Sequence, residues 1–318
     1  MSRDKIRELC QRAKRSSREL ALIGTAAKDR ALRAMARSLV SGCGKIVREN
    51  EKDVAAAEGK GLKSSLVDRL RLDRAGVAAM ADSLAAIASL KDPVGQTIER
   101  RLRPNGLKIE KVRVPIGVIL IIYESRPNVT SDCAGLCLKS SNAIILRGGS
   151  EAIRSNIAIF DILRAQAVRN GLPADCISMI RDTDRRVVEA LLKHEGLIDL
   201  VIPRGGESLI REVARKSRIP VIKHYKGVCN TYVDAGADLR MAESICYNAK
   251  VQRPGVCNAM ETMLVHRSVA ADFLPGMIRS LRSAGVEIRG CAETRRIVRG
   301  VRRATEDDWY SEYLDLVL

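Results

Sequence analysis

Two glycine-rich loops are the first candidates for chemistry. Each places an Arg before two adjacent glycines and directly after an aliphatic run; the loops read Arg147-Gly148-Gly149-Ser150-Glu151 and Arg204-Gly205-Gly206. Glycine lets a phosphate approach the backbone, N–H groups at a helix N-terminus point towards it, and Arg adds a fork of donors. One such loop is equally well a flexible turn, but two of them favour the binding of an anion.

A cysteine in a later loop is the candidate nucleophile. Cys257 follows a Pro-Gly turn, and Arg253 lies four residues before it. A loop thiol near positive charge can have a lowered pKa and attack an electrophilic carbon. The alternative, a small apolar side chain like that of most cysteines, stays open from the spacing alone.

Other signatures of catalysis are incomplete. Ser150 half resembles the nucleophile of a serine hydrolase, but Ala152 replaces the second glycine of G-x-S-x-G. No G-x-G-x-x-G follows a predicted strand, and there is no P-loop. The chain has three His, none of which lies near a Cys at zinc-like spacing, so we expect no metal site.

The composition narrows the class of protein. With 46% apolar and 29% charged residues, the 318-residue chain is typical of a folded globular protein. Its formal charge of +17 favours anionic partners, but scarce aromatic residues argue against nucleic acid. Nine Cys without a C-x-x-C pair indicate a reducing cytoplasm. No apolar run approaches the about 18 residues of a membrane span.

The elements that must position these residues alternate along the chain. Residues 1–90 predict helices, and Asn105-Gly106 predicts the tip of a hairpin within 97–113. Aliphatic runs predict buried strands at 118–122, 143–146, 177–180, 198–202 and 220–222. Helices are predicted between them, at 131–140, 151–170, 183–194 and 207–216. This alternation predicts an α/β fold with a doubly wound parallel sheet.

A second series of strands and helices follows residue 225, where we expect a domain boundary. Its predicted strands are 231–233, 262–265 and 286–288, and its predicted helices are 239–249 and 270–283. The final residues, 313–318, read as the start of an extended apolar segment that has no partner strand.

Longer stretches of the chain resemble the gamma-glutamyl phosphate reductases, a family within the aldehyde dehydrogenase superfamily. The matching stretches are 115–118, 122–130, 136–140, 146–152, 202–206, 222–229, 248–250 and 252–258. The resemblance covers essentially the whole chain, and these stretches are specific to that family. Ser141 stands where the family usually has Gly.

The resemblance implies an aldehyde-dehydrogenase-like α/β fold in two domains. Residues 1–225 would hold N-terminal helices, a hairpin arm and a Rossmann-like cofactor domain, and residues 226–318 a smaller catalytic domain. It implies NADPH-dependent reduction of gamma-glutamyl phosphate to glutamate semialdehyde with release of phosphate, the second step of proline biosynthesis. It also implies a homo-oligomer and a functional link to glutamate 5-kinase.

The same resemblance assigns roles to the loops that bind the cofactor. Residues 147–151 match a loop that meets the adenosine end of the cofactor, and 204–206 match one nearer its pyrophosphate. Within the first loop Arg147 is our candidate for the 2′-phosphate of NADPH, because that group needs a cation.

For the reaction itself, the resemblance makes Cys257 the nucleophile that displaces phosphate and forms a thioester. The backbone N–H of Cys257 and the side chain of Asn128 are the candidate donors to the developing oxyanion. Arg253 is our candidate for binding the acyl phosphate. Residues 223–227 carry no acid where hydrolytic relatives have a Glu, in keeping with a thioester that must be protected from water.

Two other interpretations remain open at the level of the sequence. Family members continue beyond the equivalent of Leu318, which leaves the alternative of a truncated, inactive relative that still binds a cofactor or other anions. The high positive charge leaves a nucleic-acid-binding protein as a third interpretation. Turnover separates the first two, and a steep salt dependence of nucleic-acid binding would support the third.

Overall fold

The computed structural model describes residues 1–62, 64–223, 225 and 227–318. The chain divides into two compact units, Met1–Lys223 and His224–Leu318. Within the described ranges, no helix is both long and apolar enough to cross a membrane.

The first unit begins with helices, continues through a hairpin and ends in an alternating series of strands and helices. Its helices are α1 (Arg3–Leu20), α2 (Thr25–Ser41), α3 (Cys43–Gly59), α4 (Ser64–Leu70), α5 (Arg74–Ser89), α6 (Asn128–Lys139), α7 (Ile153–Arg169), α8 (Arg185–Leu191) and α9 (Glu207–Lys216). Its strands are β1 (Thr97–Leu102), β2 (Lys108–Val112), β3 (Val118–Tyr123), β4 (Ala143–Gly148), β5 (Ile177–Met179) and β6 (Leu200–Arg204). A short 3-10 turn, Ser150–Ala152, precedes α7.

A parallel sheet with the strand order β5-β4-β3-β6 forms the centre of this unit. All six residues of β3 are buried. Its odd-numbered side chains pack with α2, α3 and α5 to α7, and its even-numbered side chains pack with α1, α8 and α9. Helices therefore cover both faces, as the continuous aliphatic runs predict. Because the strands are parallel, the loops that follow β3, β4 and β6 share one edge of the sheet.

The expected fifth strand at 220–222 is wrong. Only an isolated bridge joins Val201 to Val221. The N–H of Val201 donates to the carbonyl of Pro220 at 2.9 Å, and the N–H of Ile222 donates to Val201 at 3.0 Å. A proline has no N–H to donate, so the ladder cannot extend through Pro220.

The hairpin expected within 97–113 is present as β1 and β2, which pair antiparallel. Gly106 at its tip has a φ of 81°, the left-handed conformation that the Asn-Gly pair predicts. Every residue of both strands is exposed. The hairpin therefore stands outside the apolar core of its unit.

Ser141, where the resembling family has Gly, adopts the left-handed conformation that glycine favours. Its φ is 56°. Its buried hydroxyl accepts a hydrogen bond from Lys28 Nζ at 2.8 Å, and the same ammonium pairs with Asp92 at 2.6 Å. The serine therefore gives up the conformational ease of glycine and provides a partner for a buried lysine.

The second unit contains a short parallel pair of strands flanked by helices. Its helices are α10 (Leu239–Val251), α11 (Ala270–Ser283) and α12 (Ala292–Ile297), and its strands are β7 (Cys229–Val233), β8 (Met260–Val265), β9 (Arg289–Gly290) and β10 (Arg302–Arg303). β7 pairs with β8, and β9 pairs with β10. Short 3-10 turns lie at Arg267–Val269 and Glu306–Tyr310.

The end of the chain differs from the expectation of an unpartnered extended segment. Val317 forms a parallel bridge with Glu287, and the N–H of Leu318 donates to the Glu287 carbonyl at 2.9 Å. The side chain of Leu318 is buried. The strand predicted at 286–288 is therefore wrong, because among the described residues Glu287 forms only this bridge and the nearby strand β9 begins at Arg289.

Candidate active site

The loop between β4 and α7 carries the first Arg-Gly-Gly sequence. A Cβ atom on Gly148 would collide with the side chain of Asn156, and one on Gly149 with the carboxylate of Glu151. Oε1 of Glu151 accepts hydrogen bonds from the N–H of Ser125 at 2.6 Å and from its hydroxyl at 3.0 Å. The two glycines therefore allow the close packing that holds this loop against Ser125, two residues after the end of β3.

The loop between β6 and α9 carries the second Arg-Gly-Gly sequence. The N–H of Gly206, at the N-cap of α9, donates to Oε2 of Glu124 at 2.9 Å. A Cβ atom on Gly205 would lie only 2.5 Å from the same carboxylate oxygen and 2.9 Å from a methyl group of Leu209. The N–H of Glu124 in turn donates to the Arg204 carbonyl at 3.1 Å. This loop is thus also fixed to the end of β3.

Glu124 and Ser125 are two residues of the candidate site to which the sequence assigns no role. They directly follow β3, and they tie the loops after its two neighbours in the sheet, β4 and β6. Their position inside the matching stretch 122–130 is the signal that could have identified them, since the loops at one edge of a parallel sheet lie side by side.

A cavity of about 290 Å³ opens beside these loops. Arg147, Gly149, Ser150 and Glu151 line it, together with Glu124. The Arg-Gly-Gly residues of the second loop are not among the described residues that line the cavity. Ser208 and Leu209, in the helix α9 that follows this loop, do line it. Arg204, Gly205 and Gly206 therefore adjoin the cavity through their contacts with Glu124.

Arg147 has unused hydrogen-bonding capacity at this cavity. Its Nη2 donates to the carbonyl of Thr183 at 2.8 Å. Its Nε atom is buried and has no hydrogen-bond partner within the part of the chain that the structure describes. Burial lowers the pKa of the Arg147 guanidinium, while the charge of Glu151 acts in the opposite direction. A buried donor without a partner is costly, so an acceptor at this position would be stabilising.

The cavity is mixed in charge. Arg185 and Lys216 add positive charge to that of Arg147, and Lys216 is paired with Glu189 at 2.6 Å and Glu212 at 2.7 Å. Guanidinium groups suit phosphates, and carboxylates accept hydrogen bonds from ribose hydroxyls. The donor and acceptor set therefore fits a nucleotide better than a simple inorganic anion.

In the second unit, Cys257 lies in the loop that joins α10 to β8. Its side chain is exposed, as is that of Arg253 at the start of the loop. The N–H of Val256 donates to the Arg253 carbonyl at 3.4 Å, and the N–H of Ala259 donates to Val256 at 3.1 Å. The backbone thus turns tightly on either side of the thiol and presents it to solvent.

A buried ion pair joins the two ends of this loop. Nζ of Lys250, near the end of α10, lies 2.9 Å from Oε2 of Glu261 in β8, and both side chains are excluded from solvent. The other oxygen of Glu261 accepts the N–H of Leu314 at 3.0 Å. The sequence analysis gives neither Lys250 nor Glu261 a role, because a single charged residue in a helix or a strand ordinarily lies on a solvent-exposed face.

Asn128, the other candidate donor to the oxyanion, is the exposed first residue of α6 in the first unit. Its Nδ2 donates to the Asp132 carboxylate at 3.0 Å. In the stretch 223–227, His224 and Lys226 lie outside the described residues. Gly227 lies against the Cys257 loop, since a Cβ atom there would be 3.0 Å from the Cys257 carbonyl oxygen.

Comparisons with known proteins agree over almost the entire chain. The aldehyde dehydrogenase family model matches residues 1–290. A gamma-glutamyl phosphate reductase of Caldanaerobacter subterraneus subsp. tengcongensis is 56% identical over 308 residues, which are 97% of this chain and 74% of the relative. Another, of Geobacter sp. strain M21, is 51% identical over 315 residues, which are 99% of this chain and 75% of the relative.

A solved structure gives the same result. The crystal structure of gamma-glutamyl phosphate reductase from Thermotoga maritima superposes with a TM-score of 0.91 at 43% identity, covering 98% of this chain and 76% of that one. The α/β fold expected from the sequence is therefore confirmed. The chain belongs to the aldehyde dehydrogenase family and, within it, to the gamma-glutamyl phosphate reductases.

Proposed function

We propose that the chain reduces L-glutamyl 5-phosphate to L-glutamate 5-semialdehyde, with release of phosphate and NADPH as the reductant, in proline biosynthesis. The observation that carries this proposal is the 56% identity to a gamma-glutamyl phosphate reductase over 308 residues, which include the exposed Cys257 loop. The comparisons support this activity and lend no support to the inactive alternative.

The proposal assigns cofactor binding to the first unit. A bound nicotinamide cofactor supplies the hydride that reduces the acyl group. A phosphate of the cofactor in the 290 Å³ cavity would give the buried Nε of Arg147 the partner it lacks. Arg147 is therefore our candidate for the residue that makes NADPH bind better than NADH. The 2′-phosphate of NADPH needs a cation, and NADH lacks this phosphate. The carboxylates of Glu124 and Glu151 are suited to ribose hydroxyls.

The proposal assigns the covalent step to the second unit. The thiolate of Cys257 attacks the acyl carbon; the C–S bond forms, the C–O bond to phosphate breaks, and phosphate leaves. The exposed guanidinium of Arg253 would neutralise charge on the departing phosphate. The thioester that results keeps the acyl group activated for reduction.

The developing oxyanion needs donors, and we assign these to the Cys257 N–H and Asn128 Nδ2. In the ligand-free chain Asn128 already donates to Asp132 at 3.0 Å. This role therefore requires that Asn128 exchange the carboxylate of Asp132 for the substrate oxygen. Replacement of Asp132 by Asn would weaken the competing hydrogen bond and leave Asn128 in place.

Two further parts of the proposal rest on the family resemblance. They are assembly as a homo-oligomer and a functional link to glutamate 5-kinase, which would supply the acyl phosphate. Action in the cytoplasm rests on the nine Cys that include no C-x-x-C pair. Sedimentation of the purified chain would test the homo-oligomer directly.

The activity is tested most simply in reverse, by following NADP⁺ reduction with glutamate semialdehyde and phosphate. We expect turnover that depends on phosphate and is lost in Cys257→Ala. Cys291→Ala is the matched control, because Cys291 is also exposed and lies in the same unit. Turnover that is independent of phosphate, or that survives in Cys257→Ala, would contradict the proposal.

A further inference from the structure

A second cysteine lies against the backbone of the proposed nucleophile. The Sγ atom of Cys229 donates to the carbonyl oxygen of Cys257 at a distance of 3.4 Å. Cys229 is the first residue of β7, and its partner in the parallel ladder is Met260, three residues after Cys257. Strand pairing therefore holds the two cysteines as neighbours, although 28 positions separate them in the sequence.

The pair also differs from most other cysteines in exposure. Cys257 is exposed and Cys229 is half-buried, whereas Cys10, Cys137, Cys176 and Cys246 are buried. Burial raises the pKa of Cys10 and of Cys176 to about 12, which keeps those thiols protonated and unreactive. A soluble oxidant can therefore reach Cys257 while these buried thiols remain protected.

We propose that Cys229 is a resolving cysteine, which converts a peroxide-oxidised Cys257 into a reversible disulfide. The inference rests on the proposed function, because that function makes Cys257 the reactive thiol. It adds a reaction that reduction of the acyl phosphate does not require, in which Cys229 protects the nucleophile from permanent oxidation.

The chemistry takes place in two balanced steps. The Cys257 thiolate attacks a peroxide oxygen; an S–O bond forms, the O–O bond breaks, and the peroxide leaves as water or an alcohol, so that Cys257 becomes a sulfenic acid. The Cys229 thiolate then attacks that sulfur; an S–S bond forms, the S–O bond breaks, and water leaves. The two thiols lose two electrons, which the peroxide gains, and a dithiol reverses the outcome.

The proposal places the required movement in the Cys257 loop. A disulfide needs Cα atoms about 4.4–6.8 Å apart and side chains turned towards each other. The Cys229 sulfur already contacts the Cys257 backbone, and the disulfide needs the Cys257 sulfur on the same side, towards β7. Gly227 packs closely here without a side chain: a Cβ atom on it would lie 3.0 Å from the Cys257 carbonyl oxygen and 3.9 Å from the Cys257 Cβ. Cys257 belongs to a turn and not to a strand, so this rotation breaks no ladder hydrogen bonds.

Without a resolving thiol, the sulfenic acid is exposed to further oxidation. Sulfinic and sulfonic acids form next, and ordinary dithiols do not reduce them. A disulfide with Cys229 stops this sequence and leaves the enzyme inactive but recoverable. The expected behaviour is reversible inactivation by peroxide.

The test combines activity with peptide mapping of the full chain. The protein is exposed to excess hydrogen peroxide without substrates, mapped under non-reducing conditions, and then treated with dithiothreitol and assayed. We expect wild type to yield a linked Cys229–Cys257 peptide and to recover its activity. In Cys229→Ser we expect recovery to fall roughly tenfold, with Cys257 found as sulfinic or sulfonic acid.

Cys291→Ser is the matched control and should recover like wild type. Cys291 is an exposed thiol whose sulfur contacts the Thr294 hydroxyl at 3.4 Å instead of another cysteine. Equal recovery in Cys229→Ser, or a wild-type map without the linked peptide, would overturn the inference. If untreated wild type shows no turnover, the proposed function fails, while the peptide map still decides the disulfide.

Discussion

The glycine loops of the first unit and the Cys257 loop of the second are held in place by different contacts. Glu151 of the first glycine loop accepts hydrogen bonds from the N–H and the hydroxyl of Ser125, and the second glycine loop donates the N–H of Gly206 to Glu124. The Cys257 loop is joined at its ends by the buried pair Lys250–Glu261, and its thiol stands exposed between them. The contrast agrees with the proposed roles, which are a fixed surface for a cofactor in the first unit and, in the second, a fixed base that leaves the Cys257 thiol free to turn.

The largest expected effect comes from breaking the ion pair at the base of the Cys257 loop. Glu261→Gln leaves the Lys250 charge buried without its partner, which should cost about 3–5 kcal/mol in the free energy of unfolding. Denaturant unfolding of the full chain measures this loss. The double variant Lys250→Met, Glu261→Gln should be less destabilised than either single variant, because it buries no charge. Additive losses in the double variant would show that the pair does not act as a unit.

Removing the Arg147 charge from the 290 Å³ cavity, the proposed cofactor site, should have the next largest effect. In Arg147→Gln we expect the KM for NADPH to rise by about ten-fold or more, because a charge-assisted hydrogen bond contributes about 1.5–3 kcal/mol. The KM for NADH should change little. Arg185→Gln is the control, since Arg185 lines the same cavity but is exposed. A larger effect at Arg185 would reassign the 2′-phosphate to that residue.

Adding a methyl group beside Glu124, by Gly205→Ala, should have an effect on cofactor binding no larger than that of Arg147→Gln. A Cβ atom on Gly205 would lie 2.5 Å from the Glu124 carboxylate, whereas on Gly206 its nearest neighbour would be 3.9 Å away. Overpacking of this kind costs about 1–3 kcal/mol, so Gly205→Ala should weaken cofactor binding measured by fluorescence titration. Gly206→Ala should cost under about 1 kcal/mol, the loss expected at a helix N-cap. Similar affinities in the two variants would argue against a fixed loop.

The smallest expected effect, on the free energy of unfolding, comes from the hydrogen bonds of Asp308 in the second unit. The Asp308 carboxylate accepts hydrogen bonds from the Thr305 N–H at 2.6 Å, the Tyr313 hydroxyl at 2.6 Å and the Arg289 guanidinium at 2.8 Å. These bonds hold the pKa of Asp308 well below its usual value. Because the folded-state pKa is lowered, the stabilisation is present above the unfolded pKa of about 4 and is lost as the pH falls through and below that value.

Asp308→Asn should therefore destabilise the chain at pH 7 by under about 1 kcal/mol, since solvent screens these groups. The difference from wild type should shrink as the pH falls below about 4. Thermal unfolding across this range measures it. A difference that stays constant with pH would mean that the Asp308 charge contributes nothing.

Local patterns in the sequence predict the sheet and the position of its loops. Continuous aliphatic runs indicate strands buried on both faces, and parallel strands bring their carboxyl ends to one edge. The two Arg-Gly-Gly loops are found there. The hydrogen bond that Gly206 donates to Glu124 is not predictable in the same way, because it depends on β3 lying beside β6 in the sheet. The alternation of strands and helices does not specify that order.

Long-range partners account for the other differences. Lys250 and Glu261 look like solvated charges until α10 and β8 bring them together in the interior. Residues 313–318 look like an unpartnered strand because their partner, Glu287, forms a single bridge outside any regular strand. The strained φ of Ser141 has a sequence signal only in the glycine that the family carries there. In each case the sequence does not show which distant residue contacts the one in question.

The central claim is that Cys257 carries the acyl group as a thioester. In phosphate-free buffer, glutamate semialdehyde and NADP⁺ should give a burst of NADPH that approaches one equivalent per active site and then stops, because no phosphate is present to release the acyl group. Added phosphate should start steady turnover, and Cys257→Ala should show neither phase. Continuous turnover without phosphate, or a burst that survives in Cys257→Ala, would contradict the account.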